Sequence, residues 1–132
     1  MKNSRGFTVI ELLVVALILA LAGFLVFSQK QDMQVTRDDK HRKTAINAMY
    51  YSLEESFFKS NQYYPTKIDE SVLTTVDPDL FTDPSGIKLG EAQSDYRYEA
   101  SGCIDGKCRG YRLSASLQNE ADYIKNNRSG ED

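Results

Sequence analysis

The sequence predicts an α+β fold: one long N-terminal α-helix, membrane-spanning in its first half, packed through its C-terminal half on a small antiparallel β-sheet. Three observations carry this. Phe7 to Phe27 is a run of 21 residues with only Thr8, Glu11 and Gly23 outside the large apolar residues and Ala, and in helical form it spans ~31 Å, about the hydrocarbon thickness of a bilayer. Ile46, Met49, Tyr50, Leu53 and Phe57 then recur at helical spacing. Finally, two runs of period-two alternation flank Asp105-Gly106, a two-residue hairpin signal.

The whole chain sets the outer bounds. Its 132 residues accommodate one modest domain beside the N-terminal segment. Sixteen Lys and Arg stand against 19 Asp and Glu, for a net charge of -3. That balance gives no strong nucleic-acid signal, because such binding needs a concentrated positive surface. Two cysteines, Cys103 and Cys108, fit a single disulfide outside the cytosol.

Three readings compete for the N-terminal segment. A secretory signal peptide has an apolar core of about 7–15 residues followed by a small-x-small cleavage site. This core is longer, and "FLVFSQK" offers no such site. A plain anchor fits the length, with Lys2 and Arg5 holding the N-terminus in the cytoplasm and residues 28–132 outside. Neither accounts for Glu11, a carboxylate whose insertion at a bilayer centre costs about 2.5–3.5 kcal/mol. Neither accounts for Gly6 at the helix start.

The third reading accounts for both. Basic residues followed by "GFTVIELLVV" (Gly6 to Val15) closely resemble the class III signal of type IV pilins and pseudopilins. The resemblance covers about 25 residues. It implies that a prepilin peptidase cuts between Gly6 and Phe7 and N-methylates the new Phe7 amine. It also implies a subunit drawn from the membrane by a platform and an assembly ATPase into a homo- or hetero-oligomeric filament. The regions expected are a cleaved leader at 1–6, a membrane and filament-core helix at 7–28, its continuation at 29–60, a pilin head at 61–125 and a mobile tail at 126–132.

On this reading Glu11 neutralises the Phe7 amine of a neighbouring subunit. Such a pair attracts by ~4 kcal/mol at 4 Å and an effective dielectric near 20, before desolvation is subtracted. The simpler role, in which Glu11 complements its own helix dipole, is worth ~0.3–1 kcal/mol. Many relatives carry glycine and proline where this chain has Ala20 and Ser28, so a more continuous helix is expected here, with any melting confined near Gly23.

Residues 29–44 are good helix formers with little apolar content, and Asp38–Arg42 and Asp39–Lys43 stand at i,i+4. His41, the only histidine, reads as a solvated helix residue. Asn61 is expected as the left-handed stop, with Tyr64 extended before Pro65. Asp69 is expected to cap a short helix presenting Val72, Leu73 and Val76, and Asp77-Pro78 to open a single turn ending near Phe81. Asp77, Asp79 and Asp83 are weak calcium candidates. Calcium takes about six to eight oxygens, and Phe81 breaks the EF-hand spacing. No metal site is assigned, because caps and turns account for these aspartates.

Taking Asp105-Gly106 as the turn pairs Ile104 with Lys107 and Cys103 with Cys108. The same register sets Ala100, Tyr98 and Tyr96 opposite Tyr111, Leu113 and Ala115, and Leu117 extends the alternation. The cysteines then fall at a pair with Cα atoms ~4.5 Å apart, within disulfide reach. Tyr123-Ile124 is a candidate edge strand.

No nucleophile–base constellation, phosphate loop or zinc spacing occurs, so no enzyme activity and no cofactor are expected. The function that the resemblance implies is a structural subunit of a type IV pilus or pilus-like filament. Before assembly it is expected as a single-pass cytoplasmic-membrane protein with the C-terminus outside, and afterwards in a surface filament or a periplasmic pseudopilus. The alternatives are a secretion or DNA-uptake pseudopilin, a minor pilin, or a monomeric membrane-tethered binding module.

Overall fold

The computed structural model describes residues 6–128. Lys2 and Arg5 of the expected leader, and residues 129–132 of the expected tail, lie outside the described residues. Helix α1 runs from Val9 to Tyr51, a π-turn covers Ser52–Phe57, and the short α2 covers Phe58–Asn61. A 3₁₀ turn at Pro78–Phe81 follows, then strands β1 (Tyr96–Ser101), β2 (Gly110–Ala115) and β3 (Tyr123–Asn126). The chain divides into two compact units, Met1–Val35 and Thr36–Asp132.

In the first unit, the described residues from Val9 onward are helix. Every large apolar side chain from Phe7 to Phe27 is at least 47% exposed. A helix with apolar side chains exposed on all sides requires lipid or other protein around it. Gly23 and Ala20 do not interrupt it, and the Ser28 hydroxyl donates to Leu25 O at 2.9 Å. That bond keeps a polar group satisfied at the end of the apolar run.

The second unit is an α+β head. Ala45, Ile46, Met49 and Leu53 of the helix are buried against Tyr96, Tyr111, Leu113 and Ala115 of the sheet, with Ile68, Leu73, Val76 and Phe81 closing the core from the intervening loop. The stripe thus includes Ala45, while Tyr50 and Phe57 sit at its margin. The sheet is antiparallel in the order β1-β2-β3, and Tyr96, Tyr98 and Ala100 face Ala115, Leu113 and Tyr111 as the turn dictates. Asp105 and Gly106 both adopt positive φ, 52° and 77°, the backbone that a two-residue hairpin needs. Ile104 and Lys107 exchange both backbone hydrogen bonds, and Cys103 and Cys108 are bonded with Cα atoms 3.9 Å apart. The backbone of Cys108 turns the other way and pairs with Tyr64 at 3.0 and 2.9 Å, fastening the hairpin tip to the chain just past the helix.

Several local expectations change. The left-handed stop is Gln62, at φ 64°, not Asn61. Asn61 remains helical and its amide donates to Phe57 O, while the Gln62 N–H closes the last turn on Phe58 O. Asp69 caps turns rather than a helix: its Oδ1 accepts the N–H groups of Ser71 and Val72, but no regular ladder continues through Thr74 and Thr75. Both are β-branched, and the Thr75 hydroxyl pairs with Ser52 at 2.7 Å. Strand β2 ends at Ala115, leaving Leu117 in the following loop. Asn126 belongs to β3, Asn127 exchanges hydrogen bonds with the Tyr111 backbone, and the Arg128 N–H donates to Glu54.

Candidate functional site

At the N-terminal end, Gly6, Phe7 and Thr8 precede the helix and are exposed. The Thr8 carbonyl accepts the Leu12 N–H at 3.2 Å, the first helical bond, and Thr8 Oγ1 accepts the Glu11 N–H at 3.4 Å. Thr8-Val9-Ile10-Glu11 is therefore the start of a capping box, with the glutamate in the first turn where the helix dipole favours a negative charge. Glu11 itself is exposed. The Gly6–Phe7 peptide lies outside the helix, and a carboxylate stands one turn further on at the edge of an uncovered apolar surface.

The other residues singled out by sequence lie in the head. Asp77 accepts the Asp79 N–H at 3.0 Å and caps the 3₁₀ turn. Asp83 is buried and accepts the N–H groups of Ser85, Ile87 and Asp95, each at 2.9 Å. Among the described residues no group of three or more His, Cys, Asp or Glu is placed to hold a metal. His41 is exposed, and its Nδ1 lies 3.5 Å from the Tyr96 hydroxyl.

Two buried ionic centres escaped the sequence reading. Arg42, only 2% exposed, contacts Asp39 at 3.0 Å and Asp95 at 2.8 Å. The i,i+4 partners read from sequence are not the ones used, since Lys43 reaches Glu120 and Arg42 reaches back three residues to Asp39. Asp39 also accepts the Gln118 and Asn119 N–H groups. Burial pushes the Asp39 carboxyl up, but those two N–H groups and the Arg42 guanidinium outweigh it and hold it below the ordinary 3.8. The second centre is Glu54, which the π-turn buries together with Ser52 and Leu53. Its carboxylate accepts the hydroxyls of Tyr64 and Tyr111, at 3.1 and 2.8 Å, and the Arg128 N–H. Burial, then the hydrogen bond and charge of Glu54, push the Tyr111 hydroxyl far above the usual tyrosine range, so it stays a donor. Among the described residues no buried side-chain nitrogen or oxygen lacks a hydrogen-bond partner, so both centres are satisfied from within. One sequence signal was available: Asp39 and Arg42 continue the helical spacing of Ile46, Met49 and Leu53, and Glu54 follows Leu53 directly.

The N-terminal features find a counterpart among known families. Residues 1–27 match the family model of the prokaryotic N-terminal methylation motif. This chain carries the type IV pilin and pseudopilin signature. The motif belongs to pilin-like substrates of prepilin peptidase, and with the apolar helix it supports membrane anchoring before assembly. It points to a structural rather than a catalytic protein. No curated protein and no solved structure matches the chain.

Proposed function

We propose that this chain is a structural subunit of a type IV pilus or pilus-like filament, cut by prepilin peptidase between Gly6 and Phe7 and methylated on the Phe7 amine. It then polymerises through its N-terminal helix. The observation that carries this reading is the methylation motif on a helix whose apolar side chains are uncovered all round. Before assembly lipid covers that surface, with the N-terminus inside and the head outside. In the filament, neighbouring helices replace the lipid. No apolar area is returned to water in the exchange, so its direction is set by packing, by charge pairing and by the assembly ATPase acting through a membrane platform.

Glu11 supplies the pairing. Cleavage creates an amine at Phe7, and in an apolar setting an unpaired amine and an unpaired carboxylate each carry a desolvation penalty of several kcal/mol. Bringing the Glu11 of one subunit to the Phe7 of the next relieves both and fixes the axial stagger. The test is mass spectrometry of the mature N-terminus together with Glu11→Ala. A first residue of methylated Phe7, with Glu11→Ala processed but unable to form filaments, is the expected result. An intact Met1 in cells that contain the peptidase overturns the proposal in favour of a membrane tether.

A further inference from the structure

The head presents opposite chemistry at two places far apart along its helix. Where the helix ends, the β1–β2 hairpin tip and the chain around Tyr63 form a cleft bordered by Phe58, Ile104, Lys107 and Arg109. Ile104 is 67% exposed, more than any other large apolar side chain of the head among the described residues. Lys107 Nζ stands 5.3 Å from the Tyr63 ring centroid, and neither Lys107 nor Arg109 pairs with a carboxylate among the described residues. Two cations thus border an exposed apolar tip on the cleft side, while the carboxylate of Asp105 stands at the turn itself.

Near the start of the head, the turn from Asp77 to Pro84 lies beside Arg37 and His41. This turn, "DPDLFTDP", contains no cation. Asp77, Asp79, Pro78 and Pro84 are exposed and Leu80 is half-buried, while Asp83 is turned inward on backbone N–H groups. It therefore offers carboxylates beside apolar proline and leucine surface. From His41 to Phe58 the helix advances about 25 Å, so the turn and the hairpin-tip cleft of one head cannot meet. They can meet between two heads displaced along the helix direction.

We propose that the hairpin-tip cleft of one head receives the Asp77–Pro84 turn of a second copy of this chain, with Ile104 against Pro78 and Leu80, and Lys107 and Arg109 facing Asp77 and Asp79. The contact is heterologous: each subunit uses a different surface at each end, and repetition generates an open filament rather than a closed dimer. The charges fix register and exclude the reversed orientation, in which like charges meet. This inference rests on the filament reading above, and it adds the head surfaces that would set the stagger alongside Glu11.

The test places a photo-crosslinking amino acid at position 104 of the full chain and maps crosslinks in filaments sheared from cells. Dimers joined to residues 77–84 of a second copy are expected. In parallel, Lys107→Glu should lower filament yield about tenfold, the loss of one ion pair with a like-charge contact put in its place. Asp79→Lys in the same chain should restore it, which a folding defect at position 107 would not permit. Wild-type filaments whose crosslinks map elsewhere, or a double variant no better than Lys107→Glu, would overturn this contact alone. Absence of filaments from the wild-type chain would overturn the filament reading and this contact together.

Discussion

The two units of this chain solve the problem of apolar surface in opposite ways. Residues 9–35 form one helix with its large apolar side chains open, so what surrounds it is left to lipid or to other subunits. The Thr36–Asp132 unit covers most of its large apolar residues, with Ile104, Tyr51 and Ile124 left exposed, and encloses Arg42, Asp39 and Glu54 as well. The difference teaches where each kind of substitution should act. Changes in the first unit should alter assembly and leave head stability untouched, while changes to buried residues of the second should alter stability first.

The sharpest break of that comparison is Glu11→Ala. Filaments should be lost, while the thermal midpoint of the detergent-solubilised chain, followed by near-ultraviolet circular dichroism, stays at the wild-type value. In the head the largest effect is expected from Arg42→Ala, which strands Asp39 in the interior and should cost about 3–5 kcal/mol in urea denaturation. Leu113→Ala removes a fully buried side chain from the centre of the sheet and should cost about 2–5 kcal/mol. Leu17→Ala, the same chemistry on the exposed helix, should stay within about 0.5 kcal/mol in the same measurement. Replacing Cys103 and Cys108 together by serine opens a five-residue separation and should cost about 2 kcal/mol, with the helix signal unchanged.

The smallest effect is one of pH. The folded pKa of Asp39 is depressed, so its contribution is complete above the unfolded value, near 3.9 for aspartate. It is lost as pH falls through the lower folded value. An acid titration of stability should therefore be shallower below about pH 4 for Asp39→Asn than for wild type. An identical acid limb would show that Asp39 is not the group responsible.

What could be read from the sequence was whatever rests on neighbours a few residues away. The hairpin is an example: Asp105-Gly106 fixes the turn, the turn fixes the register, and the register brings Cys103 to Cys108 and sets Tyr98 against Leu113. The edge strand at Tyr123 and the capped turn at Asp77-Pro78 follow the same logic. The buried charges were hidden because a distant group decided them. Asp39 and Arg42 look like surface helix residues until Asp95 and the 118–119 backbone are folded onto them. Asn127 and Arg128 look like tail until Tyr111 and Glu54 supply partners.

The sequence by itself therefore determined the membrane-length helix, the methylation motif at its start and the local pairings of the hairpin, because each depends on spacing along the chain. Tertiary structure alone decided which charges lie inside, that the helix widens into a π-turn at Ser52–Phe57, and where its last turn is tied down. Burial of a charge is tolerable only when partners arrive to satisfy it. Here the partners come from residues 53 positions away for Arg42, and 57 and 74 positions away for Glu54.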